Sequence, residues 1–284
     1  MVTRREFAGL LGGGAIVAAA VGASSKAANA QAASSATTTF QQVMSSKKLR
    51  IGGVPTGAPW TVRDRETGQW GGQFYDIGKA LATDMEVELE MVETTWGTGI
   101  LDLQANKLDV MFGMNPTPKR ALAVDFTVPV YNSALTVIAK PGFEPKTWAD
   151  LNKPEVKLVV DMGSAHDQVA SRLCPNATIT RLKTLDEATM ALSTGRADAQ
   201  AIFWQGGVKA VKTNPRLGTC IAPLPLFGST SNAAVRRETD KTMRDFLNTW
   251  IVYAQGLGLV REAVLNSLLK VDITLEDLPS GVTF

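Results

Sequence analysis

The chain is poor in the residues on which most enzyme and metal chemistry depends. Its 284 residues include one histidine, two cysteines and three tyrosines. With a single imidazole and no His/Cys/Asp cluster at ligand spacing, no metal site is expected, and no other cofactor. The G-x-S-x-G elbow, the P-loop and a G-x-G-x-x-G run with its acidic partner are all missing. The usual frameworks of acyl transfer and nucleotide binding are therefore excluded, and the chain reads as a non-enzyme. Long apolar runs are missing too. Residues 10–23 are a short stretch dominated by Ala and Gly, whereas a membrane span needs about 20 strongly apolar residues. Stable insertion into a membrane is not expected.

An excess of one charge is the last absence. Thr3-Arg4-Arg5-Glu6-Phe7, the Gly/Ala stretch, Lys26 and Ala28-Asn29-Ala30 have the layout of a twin-arginine export signal ending in an A-x-A cleavage site. Residues 1–30 are therefore set apart from the fold as a signal peptide cleaved near Ala30, with a cut after Ala32 as the alternative, and the expected compartment is the periplasm. Removing them takes three basic residues and one acidic, leaving 26 Lys+Arg against 26 Asp+Glu. Such a balance offers no footprint for nucleic acid or an anionic membrane. In an oxidising compartment Cys174 and Cys220 could form a disulfide or remain separate buried thiols, and their spacing does not choose.

What the chain does have is alternation. After a small polar leader at 31–39, helical patterning at 40–46, 74–85 and 99–105 alternates with strand patterning at 49–54, 87–92 and 108–112. An apolar stretch at 134–139 ends in Lys140-Pro141-Gly142, and the alternation resumes. Strands are expected at 157–161, 177–182, 199–203 and 219–222, with helices at 165–173, 185–193 and 206–213. A second extended segment at 229–235 precedes helices at 241–255 and 259–269. Strands alternating with helices predict an α/β fold with mainly parallel sheets. Two extended connectors, one leaving and one returning, predict a two-lobed clamshell with a two-strand hinge: 40–136 with 230–284 as lobe 1, and 137–229 as lobe 2. Roughly 250 residues suit two small lobes.

One run carries chemistry. Gly113-Met114-Asn115-Pro116-Thr117-Pro118-Lys119-Arg120, followed by Val124-Asp125-Phe126, reads as a strand entering a short helix. Gly113 permits close backbone approach, Thr117 stands at an N-cap, and Pro118 suits the first helical position. The helix start favours an anion, and the Arg120 guanidinium in its first turn matches a carboxylate bidentately. A second helix start, Ser164 to Asp167, has an N-cap with an acidic partner and is equally friendly to an anion. His166 in that turn reads either as a polar residue on an exposed surface or as a titrating group in a cleft.

Leu49 to Pro59 (LRIGGVPTGAP) with Trp60, the run Leu103-Gln104-Ala105-Asn106-Lys107-Leu108-Asp109, the Gly113–Arg120 segment, Gly163-Ser164 and Gly195-Arg196-Ala197-Asp198-Ala199 together resemble the polar amino-acid-binding family of bacterial extracellular solute-binding proteins. The markers fall in family order across 49–269. The resemblance implies a monomeric periplasmic receptor that closes two lobes on a small ligand and hands it to an inner-membrane ABC permease. It also implies that the ligand carboxylate is held by Arg120, by groups at Gly113 and Asn115, and by Ser164 from the other lobe. Trp96 matches a ring that lies against the ligand side chain and Trp60 an aromatic on the first-strand loop. Phe203 or Trp204 lines the cleft.

The chain also departs from this pattern. Phe203 stands where the family commonly places the aspartate that pairs with the ligand α-ammonium, Val54 replaces a second aspartate, and Gly57 replaces an aromatic. A buried ammonium without a carboxylate is costly. The expected ligand is therefore a small carboxylate, amino-acid-like but able to lack a free α-ammonium, with a flat or apolar body. Asp161 is the nearest acid that could restore ammonium recognition. The competing readings are a dehydratase-type enzyme on the same fold, acting on a cyclic carboxylic acid through His166 or Asp161, and a ligand-sensing partner of a membrane receptor.

Overall fold

Apolar residues spaced for one helical face make the first described helix, and Thr38 caps it: its hydroxyl accepts from Gln41 N while the Gln41 side chain returns to the Thr38 backbone. The computed structural model describes residues 37–280. The proposed export signal and most of the leader lie outside the described residues. The order is α1 (Thr39–Ser46), β1 (Lys48–Gly53), a small antiparallel pair β2 (Val62–Arg63) and β3 (Trp70–Gly71), α2 (Gln73–Asp84), β4 (Glu88–Glu93), α3 (Gly99–Gln104), β5 (Val110–Met114) and α4 (Pro118–Ala121). The long strand β6 (Val124–Ala139) follows. Then come α5 (Trp148–Leu151), β7 (Lys157–Asp161), α6 (Ala165–Leu173), β8 (Thr178–Leu182), α7 (Leu185–Ser193), β9 (Ala199–Phe203), α8 (Trp204–Thr213) and β10 (Thr219–Ile221). β11 (Gly228–Arg236) returns to α9 (Thr242–Gly256) and α10 (Leu259–Leu269).

The main sheet runs β4-β1-β5-β11-β6-β9-β7-β8, with β10 also on β6. Strands joined by crossover helices pair in parallel, as such connections require: β1 with β4 and β5, β7 with β8 and β9. The connectors pair antiparallel. Residues 124–134 of β6 lie against β11, while Leu135 to Ala139 lie against β9, Leu135 opposite Phe203 and Ala139 opposite Ala199. β6 and β11 thus carry the sheet from one half to the other.

The sequence pattern separates Val124 from the apolar stretch at 134–139, but the chain is one 16-residue strand. Pro129 disguised it, because a proline interrupts a regular ladder. Here it sits opposite Asn232, where the β6–β11 register shifts, so its missing N–H removes no regular bond. Among the described residues Cys174 and Cys220 are both free. Cys174 Sγ lies near Trp148 O and Cys220 Sγ near Thr136 Oγ1.

The core is continuous under both halves. Leu49, Ile51, Leu81 and Phe74 pack beneath the first, Leu158, Val160, Ala201 and Trp204 beneath the second, all essentially inaccessible to water. Asp109, just before β5, ties that strand to β1: its buried carboxylate accepts from Arg50 N at 2.8 Å and Nη2 at 2.6 Å.

Candidate functional site

Loops at the carboxyl ends of the parallel strands converge, as ligand loops do in open α/β sheets. Trp60 follows β1, Trp96 follows β4, Gly113 lies near the end of β5, Ser164 follows β7 and Phe203 ends β9. These five, with Asn115, Arg120, Tyr131, Ser133, Ala165, His166 and Ser231, line one pocket. All seven residues expected from the sequence are therefore brought together. The cavity at the pocket's core is about 30 Å³. That core holds a water or two, so an amino-acid-sized molecule enters only if the walls part. An adjoining cavity of about 240 Å³ shares Trp96 and is lined by Val54, Gly57, Glu93, Asp161 and Lys183 among others. Both departures on the first-strand loop, Val54 and Gly57, face this second space.

Arg120 is the centre of the arrangement. It is only 7% exposed. Its Nη1 donates to Asn115 O at 3.3 Å, and its Nη2 donates to Trp96 O at 3.3 Å and Gly163 O at 3.1 Å. Three of its five N–H donors are thus engaged, all by neutral carbonyls, and Gly163 belongs to the half opposite Trp96 and Asn115. Burial pulls its pKa down to about 10, and Asp161 acting at a distance restores part of that. A buried guanidinium that has carbonyls but no carboxylate is poised to take an anion.

Gly113 has φ +79°, and a Cβ there would collide with the Phe74 ring and stand 3.0 Å from Trp96. Its glycine is required by both backbone and space. The helix start expected to favour an anion proves to be only four residues long, α4, and its Arg120 N is taken by Thr117 Oγ1. The dipole of so short a helix is small, so the anion preference here resides in the guanidinium. Asn115 spends its side-chain amide on Thr230 O at 3.0 Å and holds Arg120 with its carbonyl.

Trp60 and Trp96 meet edge to face with centroids 6.1 Å apart and form an aromatic wall. Phe203 faces His166 at 4.8 Å. Ser164 caps α6, its hydroxyl accepting from Asp167 N at 3.1 Å.

The sequence pattern missed the floor and misjudged one residue. Tyr131 and Ser133 on β6 and Ser231 on β11 face the pocket from the crossing strands. Tyr131 Oη accepts from Gln73 Nε2 at 2.6 Å, and burial pushes its pKa up to about 12, so it stays a neutral hydroxyl. The alternation of β6 was the available signal, hidden by Pro129. His166, readable as an exposed polar residue, is buried. Its Nδ1 lies 2.9 Å from Asp161 Oδ1. Burial alone would raise the Asp161 carboxyl, but the charge of His166 and hydrogen bonds from His166 and Ser164 hold it below the usual range. Among the described residues no group of three or more His, Cys, Asp or Glu could hold a metal ion.

A model of the bacterial extracellular solute-binding proteins, family 3, matches residues 49–255. The chain belongs to that family. It is 30% identical over 189 residues to ABC transporter arginine-binding protein 1 of Escherichia coli K12, covering 64% of this chain and 75% of that protein. It is 33% identical over 163 residues to the L-arginine-binding protein of Pseudomonas aeruginosa, covering 55% of this chain and 60% of that protein. A solved ancestral amino-acid-binding protein, described as a precursor of cyclohexadienyl dehydratase, superposes with a TM-score of 0.70 at 28% identity, covering 79% of this chain and 96% of that one. The family-3 architecture is two-lobed, and no helix among the described residues is long and apolar enough to cross a membrane.

Proposed function

We propose that this chain is the periplasmic receptor of an ABC importer, a monomer that closes lobe 1 (40–136 with 230–284) and lobe 2 (137–229) around a small carboxylate and delivers it to an inner-membrane permease. One observation carries the reading: Arg120 is buried on the pocket wall, reaches carbonyls of both halves, and has no ion-pair partner among the described residues, Asp161 acting on it only at a distance. A ligand carboxylate supplies that partner where the two halves meet, so ligand favours closure because only the closed state engages both sides.

The curated relatives are named for arginine, but an α-ammonium and a cationic side chain both call for carboxylates. Among the described residues none lines this pocket. The nearest acids, Asp161 and Glu93, face the adjoining cavity, and Asp161 is engaged by His166. The favoured ligand is accordingly an acid without a free α-ammonium, with a flat or apolar body for Trp60, Trp96 and Phe203. Titration calorimetry with amino acids and their deaminated analogues tests this, together with mass spectrometry of small molecules released from the purified protein. Tight binding confined to free amino acids overturns the ligand class.

The Asp161–His166 pair beside the pocket is the one observation favouring a second reading, dehydration of a cyclic carboxylic acid by a cleft acid or base. The receptor reading expects no turnover of prephenate-like acids, and measurable turnover that is lost in H166Q reverses the choice.

A further inference from the structure

His166 has a role left over. Its side chain is 6% exposed, as is that of Asp161. Nδ1 is engaged by Asp161, the ring leans on Phe203, and Nε2 is buried with no hydrogen-bond partner among the described residues, while the residue lines the same pocket as Arg120. A buried polar atom left unpaired is costly unless something else completes it.

The charges facing this imidazole are few. Asp161 faces it from the end of β7 and Arg120 from α4, while Tyr131 of β6, Ser164 and Phe203 of β9 add no charge. On its own helix Asp167 is drawn elsewhere, by Gly163 N, Ser171 Oγ and Arg181 Nε. Beyond Asp161, Glu93 and Lys183 line the adjoining cavity. With a neutral imidazole, the fixed charges of Arg120 and Asp161 already cancel. A zwitterion leaves that sum unchanged. A carboxylate without an ammonium leaves one negative charge uncompensated where water is largely excluded, which is unfavourable.

We propose that His166 is a proton-coupled second anchor of the ligand site: it takes one proton from solvent as a monoanionic carboxylate binds, its Nε2–H then donating to the ligand while Asp161 supports the imidazolium at Nδ1. The ligand class is an acid that lacks an ammonium and presents a hydrogen-bond acceptor toward α6. This rests on the carboxylate reading of Arg120. The sign follows from linkage: anion affinity is fully present below the titration midpoint of His166 in the free protein and is lost as pH rises to the midpoint of the complex.

His166 is the chain's single histidine, so its ring resonances give an unambiguous NMR titration. The probes are acetate and glycine, which carry the same carboxylate without and with an ammonium. Acetate is expected to move the His166 midpoint up by about one pH unit or more, glycine not at all. Between the two midpoints the acetate Kd should loosen about tenfold per pH unit, with one proton taken up in calorimetry across buffers of different ionisation enthalpy. H166Q should flatten the pH profile. D161N removes the charge that made the proton necessary, so it should bind acetate more tightly above neutral pH and without proton uptake, whereas a purely structural Asp161 predicts weaker binding. Arg120-dependent acetate binding that leaves His166 unmoved, or an equal shift with glycine, overturns the proposal. Acetate effects that persist in R120M, or no acetate effect at all, instead overturn the carboxylate reading and this inference with it.

Discussion

The proposed carboxylate site turns on one side chain, Arg120. Its donors are held by Asn115, Trp96 and Gly163 carbonyls, so the guanidinium is oriented before a ligand arrives. Lysine keeps the charge and loses the planar fork. R120K is expected to weaken carboxylate binding by about tenfold to a hundredfold, the range for charge-assisted hydrogen bonds, measured by calorimetry at fixed ionic strength. Phe203 is the complementary position. F203D restores an acid at the end of β9, and the variant should gain affinity for free amino acids and lose it for their deaminated analogues. A parallel melting curve separates that switch from the stability lost by deleting a buried ring. Asp161 has a pH signature of its own. Its carboxyl is held below the ordinary range in the folded protein, so its stabilising contribution is present above its unfolded value of about 3.9 and is lost as pH falls through the lower folded value. Melting temperature against pH should therefore fall less steeply on the acid side in D161N than in the parent. Arg120, Trp96 and Phe203 were legible because family markers flank them in sequence. Burial of His166 was not, because a first-turn residue meets water or a neighbouring strand according to where β9 lies, and nothing local to 164–167 encodes that.

At the scale of elements, the end of β5 shows how tightly the pocket wall is built. Gly113 adopts φ +79° between Phe74 and Trp96. G113A should lose about 1–3 kcal/mol from backbone strain alone, read as a lowered denaturation midpoint, and should displace Trp96 enough to weaken ligand binding. Most helices and strands were legible from periodicity because each buries a single face: α6 and α7 have the expected bounds, and the β7 core, Leu158 to Val160, reads as a continuous apolar run. The extent of β6 was not legible, since Pro129 marks an interruption whose harmlessness depends on a register shift in its partner strand.

For the whole molecule, the sheet passes between halves on β6 and β11, and Arg120 closes the gap by reaching Gly163 O. Ligand that binds only the folded, closed form should stabilise it by about 2.7 kcal/mol at a hundredfold excess over Kd, which corresponds to roughly 5–10 °C in Tm for a chain of this size. A thermal shift series with the acids found by calorimetry checks this, and the shift should vanish in R120M. The two thiols bear on stability differently. Cys174 and Cys220 are free, and burial pushes each up to about 11. Buried Cys174 should react with a thiol reagent only after denaturation and half-buried Cys220 sooner, neither needing prior reduction, and dithiothreitol should leave Tm unchanged.

The sequence by itself determined the alternation of helices and strands, the family, and the cluster of Arg120, Ser164 and aromatic side chains, because these depend on local periodicity and on motifs contiguous in the chain. Only the tertiary structure decided that Arg120 binds carbonyls and forms no ion pair among the described residues, that Tyr131, Ser133 and Ser231 line the pocket, that the cysteines stay apart, and that Asp161 engages His166 Nδ1. Those facts are distances between segments far apart in sequence. The charge balance that selects a ligand exists only once the sheet has brought them together.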